Sequence, residues 1–166
     1  QGIDKSNDIQ KRRAVNLLDK YYGKKIAVLG LSFKAGTDDL RNSPAVELVE
    51  TLIGRGFDIA IYDRNIHTAQ LTGKNKEYIE RRIPHLSNLL VEDLDGLIDD
   101  SDVIVISNNE QQFLSAPEKV YDKVIIDMVR IDVPSMKDNN TYIGINWHKP
   151  KSAVYESQRE AHFNYS

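Results

Sequence analysis

The sequence predicts an α/β fold, a doubly wound and mostly parallel sheet of five or six strands preceded by a linking helix. Three observations predict it. Short apolar runs rich in β-branched residues recur along the chain, among them residues 26–31 (IAVLGL) and 103–106 (VIVI). Segments with helical apolar spacing separate these runs, so strands and helices interleave rather than cluster. The strongest runs are continuous instead of alternating with polar residues, the pattern of strands covered on both faces.

Residues 3–22 place Ile9, Val15, Leu17 and Leu18 among Lys11, Arg12, Arg13 and Lys20, with no proline, and read as an amphipathic helix. Gly23 ends it. Residues 25–31 then suit a buried parallel strand bounded by Gly30. Beyond a loop, Ala45, Leu48, Val49 and Leu52 fall at i, i+3, i+4 and i+7. Ser43 can cap this helix, Pro44 fits its first turn, and Gly54 and Gly56 mark its end. Residues 58–62 alternate as a second strand, completing a β-α-β unit whose crossover is expected to be right-handed. Short helices follow at 76–82 and 93–99, and strands at 103–106, 124–127 and 142–145, so the expected architecture is Rossmann-like. From residue 146 the chain is polar and aperiodic and reads as a tail.

At 166 residues, 40% hydrophobic and 28% charged, the chain can bury a core of its own as one globular domain. Its apolar runs fall far short of the roughly 20 residues that a membrane span needs, so no membrane partner is expected. Zero cysteines exclude a disulfide framework, a thiolate zinc site and a cysteine nucleophile within these residues, and are compatible with a reducing cytoplasm. The formal charge of −3 argues against a general phosphate-backbone binder, so no nucleic-acid partner is expected. Residues 1–25 hold seven basic and three acidic groups, an excess that reads as a solvated helix face. Neither a signal peptide nor an initiator methionine is visible, and the expectation is a fragment.

Residues 30–44, GLSFKAGTDDLRNSP, make a connection much longer than the roughly two to six residues usual between such a strand and helix. In an open parallel sheet, loops at the carboxyl ends of strands line the ligand crevice, so the insertion brings Lys34 and Arg41 toward it. Lys34 offers a compact charge and Arg41 a planar fork, a pair that suits a diphosphate. The same residues allow a second arrangement, in which Asp38 and Asp39 neutralise the two cations while Gly36 and Thr37 shape turns. The dinucleotide fingerprint G-x-G-x-x-G is absent, because Gly30 is followed by Leu31 and Ser32. Asp63 closes the second strand where a ribose-binding acid often sits; without the glycine turn, a capping or turn role is favoured.

At this loop the chain resembles the C-terminal domain of the UDP-glucose/GDP-mannose dehydrogenase family. The resemblance continues through YDRN at 62–65, NKEYIERRIPH at 75–85 and LLVEDLDGLIDDSDVIVIS at 89–107, most similar to the GDP-mannose 6-dehydrogenase branch. It covers residues 5–147 and implies a two-step oxidation of the sugar C6 alcohol to a carboxylate, GDP-mannose to GDP-mannuronate, with two NAD reduced. It also implies an N-terminal NAD domain, a central helical region and a catalytic cysteine that captures the aldehyde. This chain contains neither that cysteine nor that domain, so by itself it is expected to be inactive, with NAD bound mainly elsewhere. The implied division is a linking helix over residues 1–22, a sugar-nucleotide-binding domain over 23–148 and a tail over 149–166. Carried over by position, Phe33 and Lys34 match residues that contact the nucleotide-sugar, and Arg41 one that reaches NAD across a cleft. The resemblance further implies a cytoplasmic protein that forms a homodimer or higher homo-oligomer when full length. The UDP-glucose branch carries D-x-R after the fifth core strand, whereas Asp127 here is followed by Met128, Val129 and Arg130, which weakens that alternative and leaves Arg130 reading as an exposed loop residue.

His67, His85, His148 and His162 show no metal spacing, and no metal is expected. Asn108, Asn109 and Glu110 follow the strand at 103–106 on the crevice side, where helix capping is favoured over reading a purine edge. Glu92, Asp93, Asp95, Asp99, Asp100 and Asp102 read as a solvated acidic face, and no Ser/His/Asp ordering supports nucleophilic catalysis. The competing functions are a non-enzymic nucleotide-binding or assembly domain and, by topology alone, a receiver-type signalling domain. Against the latter, the first strand ends in Gly30 rather than paired acids.

Overall fold

The computed structural model describes residues 2–32, 36, 39–71, 77, 81, 84–131 and 139–145. The chain enters through helix α1 (Gly2–Asp19), turns at Gly23 with φ +87°, and runs into strand β1 (Lys25–Leu29). Helix α2 (Pro44–Gly54) and strand β2 (Asp58–Tyr62) complete the first β-α-β unit. Then follow α3 (Arg64–Leu71), the single turn α4 (Leu86–Leu89), α5 (Leu94–Asp100) and β3 (Val103–Ile106). Two further single turns, α6 (Gln111–Leu114) and α7 (Ala116–Lys119), lead to β4 (Val124–Asp127) and finally β5 (Thr141–Gly144).

The five strands form one all-parallel sheet in the order β2-β1-β3-β4-β5. Because β1 sits between β2 and β3, successive connections leave it in opposite directions. The carboxyl ends of β1 and β3 therefore flank the switch point where open α/β sheets take ligands.

Alternate residues of each strand feed two separate cores, as the two-residue period requires. Ile26, Val28, Ile59, Ile61, Val103, Val105, Ile126 and Ile143 pack with Ala14, Val15 and Leu18 of α1 and Ala45, Leu48, Val49 and Leu52 of α2. Ala27, Leu29, Ile104, Ile106, Ile125 and Tyr142 face the other way, onto Leu97 and Ile98 of α5, Phe113 of α6 and Ala116 of α7. The central strands are buried on both faces, which explains their unbroken apolar sequences. The stripe on α1 is thus part of the core, although Ile9 is half exposed.

Side chains and glycines set the helix ends as the sequence suggests. Ser43 Oγ accepts from the Val46 amide at 3.4 Å, capping α2. At its other end Gly56, with φ +81°, donates to Ile53 O and Phe57 donates to Leu52 O, at 3.0 and 3.1 Å, the paired bonds of a Schellman turn. Asp93 caps α5 through the Gly96 amide at 3.1 Å.

Some boundaries move. The first strand stops at Leu29 rather than residue 31, because Gly30 takes φ +92° and turns the chain out of the sheet. The last strand begins one residue earlier than expected, since the Thr141 amide already bonds Lys123 O at 2.9 Å. The helix expected at 76–82 falls mostly outside the described residues, as does everything from residue 146; Glu77 and Arg81 are helical and form an i,i+4 pair at 2.9 Å.

Candidate functional site

Three segments meet above the carboxyl ends of β1 and β3: the long loop after β1, the turn after β2 and the loop after β3. Their junction is built on Asp63, buried at the end of β2. Asp63 Oδ1 accepts from the Asn65 and Ile66 amides at 3.0 and 3.1 Å, satisfying the first turn of α3. Oδ2 accepts from the Leu31 and Ser32 amides at 2.8 and 3.2 Å, fixing the start of the loop after β1. Burial pushes the Asp63 carboxyl above the ordinary carboxylate range, opposed by these four amide donors. With both oxygens so occupied, Asp63 has a capping and clamping role and is not placed to read a ribose.

Asn108, also buried, forms the second joint. Its amide nitrogen donates to Ser32 O at 3.3 Å and its Oδ1 accepts from the Glu110 amide at 3.2 Å. A Cβ placed on Gly30 would lie 2.5 Å from Asn108 Cγ, so only glycine lets β1 and the β3 loop approach this closely. This corrects the helix-capping expectation for residues 108–110: Glu110 stands at the N-cap position of α6 but makes no side-chain cap bond, and Asn108 joins two loops instead. Glu110 Oε1 accepts from Asn65 Nδ2 at 2.8 Å and from the Gly36 amide. At the far end of the loop, the Ser43 hydroxyl donates to Leu31 O while capping α2, so entry and exit are tied together.

Phe33, Lys34 and Asp38 lie outside the described residues. Arg41 is described, at the rim beside the α2 cap, its side chain 77% exposed. Its guanidinium donates to both Asp39 oxygens at 3.0 and 3.1 Å, and its amide donates to Asp39 Oδ1 at 3.0 Å. That fork holds the Asp39 carboxyl below the ordinary range and raises Arg41. The neutralising arrangement that the sequence left open is therefore the one adopted by this pair. An anion arriving at Arg41 must compete with Asp39.

Among the described residues, the arrangement by which a G-x-G-x-x-G turn holds a dinucleotide is not formed: Asn108 occupies the space over Gly30 that such a turn leaves to the dinucleotide, and Asp63 accepts from four amides instead of a ribose.

A second buried carboxylate, Asp127, ends β4. It accepts from the Val129, Arg130 and Ile131 amides at 2.9, 2.7 and 2.8 Å and from the Tyr142 hydroxyl. Burial pushes its carboxyl up against those donors. This turn puts Arg130 in the left-handed region with φ +60° and leaves it exposed. Among the described residues no group of His, Asp and Glu could hold a metal ion, and no helix is long and apolar enough to cross a membrane.

The sequence singled out Asp63, Asn108 and Glu110 individually but not the lattice they form, and it missed Asn65. A polar residue just past each of three neighbouring strand ends was the available signal.

Residues 27–136 match the UDP-glucose/GDP-mannose dehydrogenase family, UDP binding domain. The chain is 46% identical over 144 residues to a GDP-mannose 6-dehydrogenase from Pseudomonas syringae pv. syringae, a match covering 86% of this chain and 33% of that protein. It is 36% identical over 129 residues to a UDP-glucose 6-dehydrogenase from Rickettsia bellii, covering 72% of this chain and 27% of that protein. Among solved structures, a ternary complex of GDP-mannose dehydrogenase from Pseudomonas aeruginosa superposes with TM-score 0.74 at 44% identity, covering 83% of this chain and 32% of that one. The chain thus spans about a third of the length of the curated relatives it matches.

Proposed function

Because the chain belongs to the UDP-glucose/GDP-mannose dehydrogenase family, we propose that it is the sugar-nucleotide-binding part of an NAD-dependent dehydrogenase that oxidises the C6 alcohol of GDP-mannose to the carboxylate of GDP-mannuronate. The observation that carries this reading is the placement of the loop after β1. A long loop is pinned at Leu31, Ser32 and Gly36 directly over the switch point of a parallel sheet, and its sequence holds the cations that suit a diphosphate.

In this reading the 23–148 unit holds the nucleotide-sugar, Phe33 as an apolar wall and Lys34 as the charge on the diphosphate, with Arg41 facing NAD across a cleft. Helix α1 links it to a region outside residues 1–166 that supplies the NAD site and the cysteine, and residues 149–166 form a tail. The oxidation removes four electrons from one carbon, which two NAD accept. The present residues bind and orient the substrate; none supplies a nucleophile. The full-length protein works in the cytoplasm as a homodimer or larger homo-oligomer.

Support for GDP-mannose over UDP-glucose is the greater similarity to the first class of relative, together with the Asp127 turn. Asp127 there is followed by Met128, Val129 and Arg130, so the D-x-R pattern of the UDP-glucose branch is absent. Titration calorimetry of the full-length protein tests the reading. GDP-mannose and GDP are expected to bind, Lys34→Ala to weaken both, and UDP-glucose to bind less tightly. Absence of binding by all three at millimolar concentration overturns it.

A further inference from the structure

The crevice loop is held by more than the buried clamp at its start. Gly36 lies five residues beyond Leu31 and takes φ +76°, a left-handed turn that aims its amide at Glu110. Glu110 Oε1 receives that amide and Asn65 Nδ2 together, so a single oxygen joins the β1 loop, the turn after β2 and the loop after β3. Each of the other two members is fixed from behind: the Asn65 amide by Asp63, and the Glu110 amide by Asn108. The loop is therefore tethered to a rigid frame at a point two residues from Lys34 in sequence.

We propose that Glu110 is a positioning residue for sugar-nucleotide binding, acting by holding the Gly36 amide so that the loop is set before the ligand arrives. This rests on the reading of the chain as a sugar-nucleotide binder. The reason is energetic: a loop fixed in advance does not have to be ordered by the ligand, and that saving appears as affinity. Both donors fall on one oxygen, so an acceptor is required and a charge is not. Glutamine has that acceptor; alanine has none.

The test is kinetics on the full-length protein with GDP-mannose, together with amide exchange at Gly36 in the unliganded protein. Glu110→Ala is expected to raise KM about tenfold, the equivalent of two modest hydrogen bonds, with kcat changed less than about twofold. It is also expected to speed Gly36 exchange. Glu110→Gln should stay within about twofold of wild type on both readouts, and Asn65→Ala should fall between. Wild-type KM and exchange in Glu110→Ala overturns the proposal, and so does Glu110→Gln behaving like Glu110→Ala. Should Glu110→Ala fail to fold, normal behaviour in Asn65→Ala overturns it instead. A wild-type protein that neither binds nor oxidises GDP-mannose overturns the functional reading and the positioning role with it, whereas Gly36 exchange indifferent to Glu110 sinks the positioning role alone.

Discussion

Asp63 Oδ2 lies 2.8 Å from the Leu31 amide nitrogen across 32 residues of sequence, so the end of β2 dictates how the chain leaves β1. Every described partner of Asp63 is an amide donor, and each oxygen serves two of them. Asp63→Asn replaces one acceptor by an NH₂ that faces two N–H groups. It should cost about 2 kcal/mol, the penalty for leaving buried donors unmatched. Urea unfolding measures it, and a loss below about 0.5 kcal/mol would show that the clamp contributes little.

Gly30→Ala should be at least as harmful, for two separable reasons. Alanine at φ +92° is strained, and its Cβ would lie within 2.5 Å of Asn108 Cγ. We expect a loss of about 3 kcal/mol, combining left-handed strain with overpacking. Asn108→Ala in the same protein should relieve only the second part, so the double variant should be more stable than additivity predicts by about 1 kcal/mol. Strict additivity in a double-mutant cycle would contradict the contact.

The sheet was legible because its strands are short, apolar and buried on both sides, so their pattern depends on little beyond the local sequence. Ser43, Pro44 and Gly56 punctuate α2 for local reasons too, and were readable for the same cause. The site was only partly so. Asp63 looked like a cap, which it is for α3, but its hold on Leu31 and Ser32 depends on β2 lying beside β1. Asn108 looked like a cap and is not one, because Gly30 admits it to a gap that exists only once β3 pairs with β1. Local propensity specifies a turn; only the register of neighbouring strands tells which distant amide the side chain meets.

Asp39 should restrain whatever anion Arg41 accepts. The guanidinium fork holds the Asp39 carboxyl below the ordinary carboxylate range, so the pair persists at neutral pH and is lost only as pH falls through that lowered value. If Arg41 serves an anionic ligand, Asp39→Asn should tighten binding of that ligand several-fold at low salt, Arg41→Ala should weaken it, and added salt should shrink both effects. The melting temperature should stay unchanged in each, since the pair is exposed. Calorimetry with NAD and with GDP-mannose on the full-length protein would show which ligand responds, and indifference to Asp39→Asn for both would place Arg41 outside the binding path.

The Asp127–Tyr142 pair makes stability depend on pH in a stated direction. Burial pushes the Asp127 carboxyl up, while the Tyr142 hydroxyl, first among the donors, pulls it back. A folded carboxyl raised above its unfolded value binds its proton more tightly in the fold, so its contribution is fullest below the ordinary carboxylate value of 3.8 and is lost as pH rises through the folded value. Tyr142→Phe removes a donor from a buried carboxylate and should push the Asp127 carboxyl higher still. The variant should therefore lose about 1–2 kcal/mol relative to wild type at neutral pH, and the deficit should shrink as pH falls and Asp127 takes up its proton. Denaturant unfolding of both proteins across the acid range reads this directly; a deficit that grows on acidification would mean that the hydroxyl does not act through the Asp127 charge.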